Sequence, residues 1–257
     1  MRAEDLPADD RPAPPGGTAL PWGLLDLPDE QRRARAAWDL TDGGHLLVVG
    51  TVRSGRSTVL RTLAAAARTG GAAEVHVLDG GGTLADLAEQ PHVGSVVGRD
   101  ELWRAGRLLT ALQAEVDRRR EVFARSGARD LVEHRARTSA DGTAHDGTAH
   151  DGTALDEAEP YLVLLVDGWD GWSAALAQVD LGAGVDAMHR LLREGSAAGV
   201  RVVLTGDRGL LTSPVAGAAA QVLLLRLADR ADAALLGLRA RDVPRAAPPG
   251  RGLLVRD

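Results

Sequence analysis

The chain has 257 residues, 44% of them hydrophobic and 26% charged, enough for a full globular core in one large or two small domains. It contains no cysteine, which excludes a disulfide framework and a thiolate metal site and suits a reducing compartment. The formal net charge of −6, carried without a single lysine, argues against unaided nucleic-acid binding, which is driven by phosphate neutralisation.

Residues 1–17 are rich in Asp, Pro and Gly and read as a flexible start, with the domain proper occupying residues 18–257. PWGLLDLPDEQ, Pro21 to Gln31, reads as a mixed apolar and turn segment along the flank of the domain, with Trp38 preceding the first strand. The chain then reaches HLLVVGTVRSGRST, His45 to Thr58, where an apolar strand runs into a glycine loop and a helix. This matches G-x-x-x-x-G-[K]-[ST] at Gly50, Gly55 and Ser57, with Arg56 where lysine normally stands. A loop of this length wraps backbone N–H groups around a phosphate, and the helix that follows points its positive end at the same place. Gly50, Arg53, Ser54, Gly55, Arg56, Ser57 and Thr58 are therefore the expected nucleotide cradle, and Ser57 a ligand of Mg²⁺. Arginine is planar and longer than lysine, so Arg56 holds phosphate in a different place and binding can survive where hydrolysis does not. The absence of Lys, Asn and Ile, all with A/T-rich codons, makes G+C-rich coding a sufficient origin for Arg56.

Glu74 to Asp79 alternates as a strand and exits through Gly80, Gly81 and Gly82 at the carboxyl edge, where ligands sit in open α/β sheets. A short strand near Ser95 to Val97 follows. Asp100 to Arg125 is the longest helical signal, capped by Asp100, with Leu102, Ala105, Leu109, Leu112, Val116 and Phe123 on one face and Arg118 to Arg120 on a solvated one. Asp141 to Leu155 reads DGTAH-DGTAH-DGTAL, a slipped repeat in a loop expected to be disordered over 138–159; its two histidines lack a third partner for a metal.

YLVLLVD, Tyr161 to Asp167, is a strand buried on both faces that ends in an acid. After a phosphate loop, Asp167 is the acid expected to hold Mg²⁺ through its water shell. The glutamate that often follows and activates water is replaced by Gly168, and Asp170 is short and displaced. Gly184 to Gly195 is helical. Val200 to Arg208 is another buried strand, whose Thr205 is placed to sense the γ-phosphate. Gln221 to Leu227 reads as a strand, Ala231 to Leu236 as a short helix and Leu253 to Arg256 as a terminal strand. Arg208 and Arg226 are candidates to reach a neighbouring subunit's phosphate. Alternating apolar strands and amphipathic helices specify an α/β fold with a mainly parallel sheet and helices on both faces. No apolar run reaches the ~18 residues of a membrane span, and the start lacks the regions of a signal peptide.

Taken in order, PWGLLDLPDEQ, HLLVVGTVRSGRSTVLRTLA, RRREVFARSGARDL and LADRADAALLGL with PPGRG resemble the FtsK/SpoIIIE family of P-loop ATPases, in particular the tandem EccC domains of type VII secretion. The resemblance implies a RecA-like core, ATP and Mg²⁺ as cofactors, Arg56 and Asp167 in catalytic positions, and Ser57 and Asp167 at the metal. It also implies partners: other ATPase domains or copies of itself in a ring or tandem array, and a secreted substrate protein. A cytoplasmic setting follows, with membrane association through other parts of a larger complex. Arg56 and Gly168 resemble degenerate domains that bind ATP with little or no hydrolysis. The alternatives are an active DNA translocase, disfavoured by acidity and these two residues, and a nucleotide-free scaffold.

Overall fold

The structure, a computed structural model, describes residues 17–42, 44–143, 159–244 and 246–256. The expected flexible start and most of the repeat loop, residues 1–16 and 144–158, lie outside the described residues.

The segment read as a mixed flank is instead a β-hairpin: β1 (Ala19–Leu27) pairs antiparallel with β2 (Arg32–Asp39). Pro21 and Gly23 hide the strand pattern in the sequence because the register shifts between them. Trp38 does not precede the first strand but lies in β2, opposite Leu20, with both side chains fully buried. Next come β3 (His45–Val49), α1 (Arg56–Gly70), β4 (Ala73–Asp79) and β5 (Val93–Gly98). Helix α2 (Leu102–Ser126) starts one residue later than expected: its N-cap is Glu101, whose carboxylate accepts the Gly98 N–H at 2.9 Å, and not Asp100. Helix α3 (Leu131–Thr143) corrects the expected loop start, since Thr138 to Thr143 continue the helix. The far end of that loop is anchored too, with Glu159 paired to Arg118.

Strand β6 (Tyr161–Asp167) leads into α4 (Trp169–Leu176) and α5 (Ala183–Glu194), then β7 (Val200–Gly206), the single turn α6 (Gly209–Thr212), β8 (Ala219–Leu224), a 3₁₀ segment at Arg230–Leu236 and β9 (Leu253–Arg256). The sheet order is β5-β4-β6-β7-β3-β8-β9, parallel throughout except for β9 against β8. Strand alternation splits the core into two layers. Leu47, Val49, Leu164 and Val166 face α2, α4 and α5, while Leu46, Val48, Val163 and Leu165 face α1 and the hairpin. Because the central strands are covered on both faces, β3, β6 and β7 are apolar at nearly every position.

The arginine run of α2 is only partly solvated. Arg119 is buried, its guanidinium donating to the carbonyls of Pro160 and Ala198 at 2.8 and 3.0 Å and to Glu115 at 2.7 Å. It ties the helix to the amino ends of β6 and β7. Glu115, between Arg118 and Arg119, has its carboxyl lowered to about 2 by the Arg118 hydrogen bond first and Arg119 second. Among the described residues no helix is long and apolar enough to cross a membrane.

Candidate functional site at the phosphate loop

Three adjacent strands carry the site to one edge. The loop after β3 is fastened on both sides: Gly50 N–H donates to Gly206 O at the end of β7 (3.0 Å), and Thr51 N–H to Arg226 O just beyond β8 (2.9 Å). Within it Ser54 N–H returns to Thr51 O at 3.2 Å, and Arg53 sits at φ +62°. A left-handed conformation costs a non-glycine residue roughly 1–2 kcal/mol, strain of the kind stored at ligand clamps. Gly55 is the N-cap of α1 at φ +110°. A Cβ there would also stand 2.7 Å from the Gly250 nitrogen, because the PPGRG turn donates Gly250 N–H to Ser54 O at 2.7 Å.

The first intrahelical bond of α1 is Val59 N–H to Gly55 O, and no side chain caps the helix. The amides of Arg56, Ser57 and Thr58 are thus the open first-turn donors that any helix start leaves over, directed at the concave side of the loop. This cradle fits a phosphate. Ser54, by contrast, is 1% exposed and its hydroxyl has no hydrogen-bond partner among the described residues. It packs behind the loop against Gly50.

Ser57 and Asp167, 110 residues apart, meet at the base of the cradle: the Ser57 hydroxyl lies 3.4 and 3.3 Å from the two carboxylate oxygens. A hydroxyl and a carboxylate are the hard oxygen donors Mg²⁺ takes, so these residues fit that ion. Thr205, read as a phosphate sensor, is fully buried, donating to Asp167 Oδ1 at 3.0 Å and accepting Gly168 N–H at 2.9 Å. Its hydroxyl is engaged in orienting the acid. The Gly80–Gly82 exit loop closes the other side, since a Cβ on Gly81 would be 2.9 Å from Asp167 Oδ2. Asp79 does not face the cradle; it accepts Thr83 and Leu84 N–H at 3.1 and 2.7 Å and shapes that loop.

Gly168 is the N-cap of α4 at φ +75° with open space around its missing Cβ. Asp170, in the first turn of α4, accepts Asp207 N–H at 3.4 Å. Its carboxyl is raised from the ordinary value, by burial first and by the Asp207 charge second, with Arg56 opposing.

The two arginines assigned to a neighbouring site are otherwise engaged here. Arg208 pairs with Asp232 at 3.0 Å. Arg226 turns back on its own loop, with Nε 3.5 Å from Thr51 Oγ1 and a terminal nitrogen 3.4 Å from Val52 O. Sequence reasoning missed the Gly250 turn as part of the site, although the glycine-rich PPGRG stretch was the visible signal.

Comparison with known proteins agrees with this fold. The FtsK/SpoIIIE family matches residues 18–214. The ESX-4 secretion system protein EccC4 of Mycobacterium tuberculosis is 36% identical over 241 residues, which are 91% of this chain but only 18% of EccC4. The solved cytoplasmic domain of the Thermomonospora curvata type VII secretion ATPase EccC superposes with a TM-score of 0.75 at 31% identity, covering 95% of this chain and 27% of that one. The same organism's EccC (ATPases 2 and 3), solved in complex with a signal sequence peptide, gives 0.76 at 31% identity, covering 98% and 45%. The chain spans less than a fifth of the curated relative's length. With a phosphate loop, a facing acid and a mostly parallel sheet in one continuous match, this chain belongs to the FtsK/SpoIIIE family and is a domain homologous to the EccC secretion ATPases.

Proposed function

We propose that this domain binds ATP with Mg²⁺ and hydrolyses it slowly, as one module of a tandem or ring-shaped secretion ATPase that handles protein. The observation that carries the reading is the meeting of Ser57 and Asp167, 3.3 Å apart, beneath the uncapped first turn of α1. The loop amides and Arg56 would hold the phosphates, Ser57 and Asp167 the metal, and Thr205 would fix the carboxylate that faces it. When bound, Mg²⁺ would supply positive charge to offset the charge that develops on the phosphates. Slow turnover follows from the residues: phosphoryl transfer needs positioned charge and an oriented water, and Arg56 and Gly168 alter one group of each kind.

Protein as the cargo is supported by the EccC relative solved with a signal sequence peptide. It is also supported by an apolar groove of about 770 Å³ between α2 and the α4–α5 junction. Trp103, 68% exposed, lines that groove, and the fully exposed Leu181 lies beside it at φ +51°. An apolar, strained rim suits a helical segment better than a nucleic-acid backbone. The cytoplasmic setting rests on the EccC cytoplasmic domain.

The test is binding of a fluorescent ATP analogue with and without Mg²⁺, on the wild type and on Asp167→Asn. Mg²⁺ should tighten wild-type binding at least about tenfold, which is 1.4 kcal/mol, and the variant should lose that gain. Failure of the analogue to bind would leave the nucleotide-free scaffold in its place.

A further inference from the structure

We propose that Asp170 is the general base for the slow hydrolysis, standing in for the glutamate that is missing at Gly168. The inference rests on the nucleotide reading above and deepens it. Gly168, at φ +75°, swings the chain sharply off the end of β6 so that α4 begins at once. Trp169 and Trp172, buried at 2% and 0% exposure, anchor the new helix inward three residues apart. Asp170, between them, is turned to the solvent side and over the carboxyl end of β7.

Its carboxylate lies against the end of β7 and the turn that follows it. Oδ2 accepts the Asp207 N–H at 3.4 Å and stands 3.0 Å from where a Cβ on Gly206 would be, while Oδ1 stands 3.7 Å from a Cβ position on Gly209. Gly206 is the same residue whose carbonyl takes the Gly50 N–H at 3.0 Å, so one glycine separates Asp170 from the first residue of the phosphate loop. Gly206, the last residue of β7, leaves the carboxylate room that a side chain would crowd, whereas a Cβ on Gly209, at the start of α6, would meet it only in ordinary contact. Arg56, at the start of α1, faces it electrostatically, and Asp207 is the second acid beside it. A carboxylate that is partly desolvated and next to a like charge has the raised basicity that water activation uses. No sequence rule would select it, since its spacing from Asp167 is wrong for the expected glutamate; the turn at Gly168 and the end of β7 bring it back to the site.

The step is a hydrolysis. A water oxygen bonds to the γ-phosphorus as Asp170 takes one of its protons. The bond from that phosphorus to the β,γ-bridging oxygen breaks, and its electron pair leaves with ADP. The Asp170 proton then returns to solvent.

Single-turnover hydrolysis of γ-labelled ATP by the whole chain with Mg²⁺, alongside nucleotide affinity, tests this in the wild type, Asp170→Asn and Asp170→Glu. General-base assistance is worth about a hundredfold or more. The expected result is Asp170→Asn binding ATP within about threefold of wild type while its turnover drops to the protein-free rate, and Asp170→Glu retaining turnover because it keeps a carboxylate. Wild-type turnover indistinguishable from the protein-free control, or Asp170→Asn turning over as fast as wild type, would overturn the assignment while leaving ATP binding intact. Absence of ATP binding by the wild type would overturn both readings, and the affinity measurement separates that outcome from the others. Should Asp170→Asn fail to fold, Asp170→Glu decides: turnover lost with affinity and unfolding midpoint unchanged would count against a simple carboxylate base.

Discussion

His45 opens the strand that carries the phosphate loop, and lowering the pH attacks it directly. The imidazole is 1% exposed. Its Nδ1 accepts the Val202 N–H at 3.1 Å, so the proton sits on Nε2, which faces Leu192 O at 2.9 Å and Ser196 Oγ at 3.3 Å. Charging the ring would break the Val202 bond in a buried site beside the Arg201 guanidinium. Burial first and Arg201 second bring its pKa from the ordinary 6.5 down to about 4, with the Leu192 carbonyl opposing. Between those values the unfolded chain takes up a proton that the native chain refuses. The contribution is therefore fully present above pH 6.5 and is lost as pH falls towards 4. At 1.36 kcal/mol per pH unit the loss approaches about 3 kcal/mol, a large part of a typical domain's stability. Urea unfolding of the wild type and His45→Gln across this range measures it, since carboxylates titrating in the same window cancel in the difference. The wild type's advantage should shrink by about 3 kcal/mol from neutral pH to the acid end. Parallel stability curves for the two proteins would refute the reasoning.

Three other outcomes follow from the same structure. Arg119→Ala should lower stability by about 2–5 kcal/mol by leaving the Pro160 and Ala198 carbonyls without their donor, whereas Arg120→Ala, at an exposed pair with Glu194, should cost under ~1 kcal/mol; thermal unfolding compares them. Gly168→Glu alone should destabilise by about 1–2 kcal/mol, because the φ of +75° is left-handed even though the space is open; combined with Arg56→Lys it should still raise steady-state ATPase activity, and an unchanged rate would mean that position 168 does not reach the water. In mobility-shift assays at low salt the acidic chain should leave duplex DNA unshifted, and tight, salt-sensitive binding would favour a DNA motor.

Much of this protein was legible before any coordinates. The apolar runs Leu46–Val49, Tyr161–Val166 and Val202–Leu204 read as strands covered on both faces, and the glycines at 50 and 55 as the brackets of a tight loop, because local sterics and solvent dictate both. From those alone came the parallel sheet, the helix after the loop and the expectation that Ser57 and Asp167 share one Mg²⁺; that β7 stands between β3 and β6 came only from the structure. What the sequence could not decide was where polar side chains end up once the strands are placed side by side. Arg119 sits in a run that reads as solvated and is buried because β6 and β7 begin beneath it with carbonyls that need a donor. Thr205 turns to Asp167, Arg226 folds back on its own loop, and Gly250, nearly two hundred residues along, closes over Gly55. These are contacts between segments distant in sequence, made by main-chain donors and acceptors that every residue carries, so composition and spacing hold no record of them; only the packed sheet brings the partners within hydrogen-bond reach.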